Sequence, residues 1–205
     1  EGEGATELIR RLVAAGVTVS IGHTSANYEQ ALAGIEAGAS HATHTFNAMP
    51  SLLHRQPGAL GALLNDRRVF CELIADGFHV HPSLIALAAA LKGDRLVLVS
   101  DSIRFSGLAD GTYSIGGQTV TVSGIECRLP DGTIAGSTLT MERAVRGAHT
   151  MGGLSLEAAL AAATKAPAAS IGEATRGDLT PGMAADIAVF TADMQPMMTL
   201  VGGSP

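Results

Sequence analysis

The chain has 205 residues, of which 46% are hydrophobic and 16% charged, a makeup that suits a soluble globular protein with a real core. Nineteen acidic against thirteen basic residues give a formal charge of −6, and no Lys/Arg-rich run tracks a phosphate backbone, so nucleic acid is not an expected partner. The longest apolar stretch, Leu84 to Leu91, is too short to span a bilayer, so no membrane partner is expected either. The opening Glu1-Gly2-Glu3-Gly4 lacks the charged and apolar regions of a leader and reads as the middle of a longer sequence. Cys71 and Cys127 are far apart and form no C-x-x-C pair, which fits a reducing, cytoplasmic setting.

In chain order, Val17 to Gly22 reads as a strand, and Tyr28, Leu32 and Ile35 follow at helical spacing. His41 to Asn47 reads as a second strand, then a Pro/Gly-rich loop through Gly61, and Phe70 to Asp76 as a third strand. Leu84, Leu87, Ala88 and Leu91 form a helical stripe behind Pro82, which suits a helix start, and Leu96 to Asp101 is the fourth strand. Such alternation is the signature of a parallel sheet covered by helices. Period-2 parity puts His23 on the face of Val17, Val19 and Ile21, and Asp101 on that of Val97 and Val99.

In a (β/α)8 barrel branched residues fill the interior and chemistry sits at the C-terminal strand ends, where His23, His44, His79 and Asp101 fall. Four βα units make half of such a barrel. The expected fold is therefore α/β, half of a (β/α)8 barrel plus part of a second, smaller β domain. Thr112 to Ser137, with its Asp131-Gly132 turn, reads as β-hairpin material. Two helices follow, one from about Leu139 to Thr150 and one behind the N-cap candidate Ser155, ending before Pro167. A Pro181-Gly182 turn then leads into a strand, Asp186 to Phe190. The expected divisions are 1–111 (barrel half), 112–137 (β-hairpin segment), 138–172 (closing barrel helices) and 173–205 (part of the small β domain).

Seven histidines invite a metal reading, although a lone histidine is more often structural. Gly22-His23-Thr24 and Thr43-His44-Thr45 each end a strand, so two imidazoles converge on one rim; a catalytic metal site takes three protein ligands and keeps a place for water. His41 shares a face with Thr43 and Thr45 rather than with His44 and reads as structural. Asp101 is either a helix N-cap or salt-bridge partner, or a general base beside a metal-activated water. Arg55, between His54 and Gln56-Pro57-Gly58, is either a solvated surface residue or a phosphate ligand, for which its planar fork is suited.

Taken together, Gly22-His23-Thr24, Thr43-His44-Thr45-Phe46-Asn47-Ala48-Met49, Arg55-Gln56-Pro57-Gly58, Ala75-Asp76-Gly77-Phe78-His79, Ser100-Asp101 and Ile134-Ala135-Gly136-Ser137-Thr138 resemble the N-acetylglucosamine-6-phosphate deacetylases in order and rough spacing. The closing Gly177 to Val189 resembles the wider amidohydrolase superfamily. The resemblance implies metal-assisted hydrolysis of N-acetylglucosamine 6-phosphate to glucosamine 6-phosphate and acetate, with zinc or iron as the divalent ion. It implies His23 and His44 as metal ligands and Asp101 as the acid/base. It further implies Asn47, Ala48, Arg55, His79, Ile134, Ala135 and Gly136 around an amino-sugar phosphate, in a homodimer where Arg55 reaches a neighbouring subunit's site. Two departures stand out: the family's glutamate ligand and a further histidine belong upstream of Glu1, and Arg104-Phe105 replaces smaller residues after Asp101. The alternatives are a related deacetylase of other N-acyl sugars or amino acids, or an inactive half-barrel that only binds sugar phosphate.

Overall fold

Four very short strands form the central sheet in a computed structural model that describes residues 1–205. They are β1 (Ser20–Ile21), β2 (His41–Ala42), β3 (Phe70–Leu73) and β4 (Leu96–Leu98), all parallel and in the order β1-β2-β3-β4. Helix α1 (Ala5–Ala14) precedes β1, and α2 (Tyr28–Glu36), α3 (Gly58–Asn65) and α4 (Pro82–Lys92) make the crossovers. Helix α2 starts in a capping box: Gln30 N–H donates to Asn27 Oδ1 at 2.8 Å, and Asn27 N–H to Gln30 Oε1 at 2.9 Å. The Pro82 start is realised with His81 as N-cap.

The helices before β1 and before β3 differ from the sequence reading. Helix α1 has no counterpart among the expected elements, and none of its residues is buried. Helix α3 occupies the end of the expected loop, because Ala59 to Leu64 is apolar all round and buried throughout, which leaves no amphipathic period to read. Gly61 is required there, since a Cβ would come within 2.4 Å of Pro57 Cβ.

Ala42, Cys71, Leu73, Leu96 and Leu98 pack with Ala31, Ile35, Leu63 and Ile85 in a cluster of 22 buried residues, and Ile21 lies against it. Full burial of a side chain such as Leu63 or Ile85 contributes about 1.5–3 kcal/mol. The alternate positions face away from these helices: His41 meets Glu72, and Phe70 and Val97 pack on Ala166. Parity therefore carries a correction. Ile21 faces the helices, so His23 would follow it there if the strand continued.

After β4 the chain builds an antiparallel sheet of β5 (Gly111–Ile115), β6 (Gln118–Ser123), β7 (Glu126–Arg128) and β8 (Ile134–Ser137), with Asp131-Gly132 in the last turn. Phe105 belongs to the core of this sheet with Val120, Val122 and Cys127, and stacks on Tyr113 at 4.7 Å. Helices α5 (Met141–Thr150), α6 (Leu156–Ala163) and α7 (Lys165–Ser170) return to the central sheet. The expected single helix ending before Pro167 is instead two: α6 stops at Ala163, and Pro167 lies in the first turn of α7, where its missing N–H removes no intrahelical bond. The strands β9 (Ile187–Phe190) and β10 (Pro196–Leu200) form a separate antiparallel pair. No helix is long and apolar enough to cross a membrane.

Candidate functional site

The strands stop before the chemistry begins. His23 (φ 43°), His44 (φ 28°) and Asp101 (φ 49°) all adopt left-handed backbone just beyond β1, β2 and β4. Such values are uncommon outside glycine and concentrate at functional sites. At His23 and His44 the conformation breaks the alternation that would send both side chains toward the helices. The two rings instead meet, with Nε2 atoms 2.9 Å apart and planes at 74°. This spacing is of the order found between nitrogens around a tetrahedral ion. His44 Nδ1 is buried without a hydrogen-bond partner.

Glu72 anchors this arrangement. Its Oε2 accepts the His44 backbone N–H at 3.1 Å and its Oε1 lies 3.3 Å from His41 Nδ1, while its carbonyl accepts the Thr45 N–H at 2.8 Å. Burial pushes the Glu72 carboxyl up, but the bonds from His41 and the His44 N–H outweigh it and hold it below the usual range. His41 is thus buried with its Nδ1 paired to Glu72, while its Nε2 has no partner.

Between His44 and Met49 the backbone alternates through positive φ at His44, Phe46 (82°) and Ala48 (52°). The Asn47 amide donates to His44 O at 3.2 Å, and Ala48 O accepts the Thr24 N–H at 3.2 Å, tying this turn to the end of β1. Successive backbone amides in such left-handed turns form concavities suited to anions. Arg55 stands apart on an exposed loop, where its Nη1 meets only His54 Nε2 at 2.7 Å.

Asp101 is exposed, makes no ion pair and caps no helix, so neither structural reading of it is realised. Its carbonyl accepts the Ser137 N–H at 2.9 Å, and Ser137 bridges to Ser102, which brings the end of β8 to the catalytic candidate. Gly136 (φ 68°) sits against it; a Cβ there would come 3.0 Å from Asp101 O and 2.6 Å from Ile103 Cγ2. Ala135 packs on the small-sheet core, whereas Ile134 is exposed and paired with Arg128.

His79 lies in the turn after β3, with Nδ1 2.6 Å from Asp76 Oδ2. Asp76 also accepts the N–H groups of Phe78 (2.9 Å) and His79 (2.8 Å). Glu72 and Asp76 received no role in the sequence reading. A carboxylate inside the apolar run Phe70-Cys71-Glu72-Leu73-Ile74, and another three residues before a histidine, were the available signals.

Residues 1–205 hold no group of three or more His, Cys, Asp or Glu side chains placed to bind a metal. One cavity of about 390 Å3 is lined by Gly22, His23 and Thr24 with Thr6 and Gln30, and does not reach His44 or Asp101.

An α/β sheet with paired histidines and an aspartate at its strand ends defines a candidate hydrolase, and comparison with known proteins names the family. The amidohydrolase family model matches residues 4–205, and the chain belongs to that family. It is 36% identical over 204 residues to N-acetylgalactosamine-6-phosphate deacetylase of Escherichia coli O157:H7, covering 99% of this chain and 54% of that protein. It is 39% identical over 200 residues to N-acetylglucosamine-6-phosphate deacetylase of Bacillus subtilis, covering 97% of this chain and 50% of that one. A Mycobacterium smegmatis N-acetyl-D-glucosamine-6-phosphate deacetylase variant, solved in complex with N-acetyl-D-glucosamine-6-phosphate, superposes with a TM-score of 0.95 at 38% identity. That match covers 100% of this chain and 55% of the solved one. The chain spans about half the length of the relatives it matches.

Proposed function

We propose that residues 1–205 form the C-terminal half of a metal-dependent (β/α)8 barrel that deacetylates N-acetylglucosamine 6-phosphate to glucosamine 6-phosphate and acetate. The observation that carries this reading is the meeting of His23 and His44, Nε2 to Nε2, at the ends of adjacent parallel strands with Asp101 at a third strand end. The names of its relatives support the substrate class, and they include both the gluco and galacto isomers. In this reading residues 1–111 are the barrel half, 112–137 the inserted β segment, 138–172 the closing helices and 173–205 part of a small β-sandwich domain.

The donor chemistry fits a divalent ion such as zinc or iron: His23 and His44 would each give a ring nitrogen, and a third protein ligand would come from outside residues 1–205. When bound, the ion supplies polarisation of the acetyl carbonyl and a lowered pKa for water. Asp101, free of ion pairs, is then the group that takes a proton and passes it to the departing amine. The left-handed turn at Asn47 and Ala48 offers backbone amides to the 6-phosphate. Arg55, exposed and turned to no acid of this chain, suits the phosphate in a second subunit of a homodimer. His79 and the Ile134-Ala135-Gly136 segment line the sugar. A cytoplasmic location accords with the free thiols of Cys71 and Cys127.

A second reading, sugar-phosphate binding without turnover by residues 1–205 alone, is favoured by the two-ligand donor set. Metal content measured together with acetate release separates the two. Bound sugar phosphate without acetate from a protein carrying both halves would overturn the deacetylase reading.

A further inference from the structure

The dyad in the turn after β3 is the most enclosed of the ion pairs in the molecule. The side chains of His79 and Asp76 are 3% and 0% exposed, with Nδ1 and Oδ2 2.6 Å apart. The ring is fixed on its flank as well, because Phe78 stands edge-on to it at 5.2 Å and Arg128 of the small sheet lies over Phe78 at 4.8 Å. His79 Nε2 is buried and has no partner within the chain.

We propose that Asp76 is a positioning residue that keeps the neutral His79 ring protonated on Nδ1, so that Nε2 accepts a hydrogen bond from a hydroxyl or amide N–H of the bound sugar. The inference rests on the reading that His79 meets the substrate. A contact of 2.6 Å between a carboxylate and a ring nitrogen needs a proton between them. Asp76 already accepts two backbone N–H groups, and although burial raises its carboxyl, these bonds and the His79 bond leave it below its ordinary range. The carboxylate therefore stays ionised and the proton belongs to Nδ1. A neutral imidazole protonated there has a bare lone pair on Nε2 and can only accept. The site thus selects ligand atoms that donate, which a sugar hydroxyl or the N–H of an N-acyl group does and an ether or ester oxygen does not.

The test is long-range 15N–1H correlation NMR on the full chain at pH about 8, where an ordinary imidazole is neutral. A His79→Gln variant assigns the resonance. The wild-type ring should show Nδ1–H with bare Nε2, and N-acetylglucosamine 6-phosphate should shift the Nε2 signal. Asp76→Asn should invert the tautomer, because its side-chain amide can keep the backbone bonds through oxygen while its NH2 donates to Nδ1. A wild-type ring protonated on Nε2, or an Asp76→Asn ring unchanged, would overturn the role of Asp76. If Asp76→Asn fails to fold, the wild-type tautomer alone decides. The expected tautomer with an Nε2 signal that sugar phosphate leaves unmoved would instead overturn the contact between His79 and substrate.

Discussion

His23 and His44 meet Nε2 to Nε2 at 2.9 Å, each in left-handed backbone two residues beyond a two-residue strand. Two ring nitrogens so placed exchange their mutual contact for a shared cation at little conformational cost. Replacing either histidine by alanine in the protein carrying both halves is therefore expected to remove bound metal and turnover together, since the remaining ligands hold a catalytic ion poorly. Elemental analysis of the purified variants checks this, and His23→Ala with undiminished metal would sink the assignment.

Asp101→Asn keeps the side-chain shape but cannot take a proton. It should lower kcat by roughly 10² to 10⁴, the usual worth of general acid/base catalysis, while metal stays bound. A fall below tenfold would assign the proton transfer to another group. Gly136→Ala should damage the same step indirectly, because its Cβ would press on the Asp101 carbonyl at 3.0 Å from a backbone with φ 68°.

Much of this arrangement was legible in the sequence because short strands keep their order even when their lengths are misjudged. The strand-helix alternation, the Pro82 helix start, the Asp131-Gly132 turn and the placement of His23, His44 and Asp101 at strand ends all follow from local chemistry. Parity failed at His23, because a left-handed residue resets the alternation and no period-2 pattern announces one. Helix α3 escaped for the opposite reason: buried on every side, it has no polar face to set against an apolar one. Glu72 and Asp76 are hard to read because, beside the rings of His41 and His79, their partners are the backbone N–H groups of His44, Phe78 and His79, which side-chain patterns do not show. Phe105, one of the two departing residues after Asp101, is a core residue of the small sheet.

Helix α5 crosses the end of β3 at Gly147, where a Cβ would stand 1.9 Å from Ala75 O. Backbone cannot yield as a flexible side chain does, so Gly147→Ala should cost about 3 kcal/mol, the upper part of the range for overpacking. Gly111→Ala is the control, since its Cβ would meet only Tyr113 ring atoms at 3.7 Å or beyond. Urea denaturation midpoints of the two variants should separate clearly; equal midpoints would contradict the packing of α5 on β3.

The depressed carboxyl of Asp76 makes a pH prediction with a definite sign. A group whose folded pKa lies below its unfolded value, about 3.9 for an ordinary aspartate, stabilises fully above that value and loses its contribution as pH falls through the folded one. Wild-type stability should therefore drop more steeply than that of Asp76→Asn as pH is lowered from about 5 toward about 2. Parallel acid limbs in the two proteins would show that Asp76 is not held ionised by its partners.

The most direct test of the account is acetate release from N-acetylglucosamine 6-phosphate in the presence of zinc, measured for residues 1–205 alone and for the same residues joined to the preceding half. The two-histidine donor set predicts turnover only in the joined protein, abolished there by His44→Ala. Equal turnover by residues 1–205 alone would show that the site is complete within them, and no acetate from the joined protein would contradict the deacetylase itself.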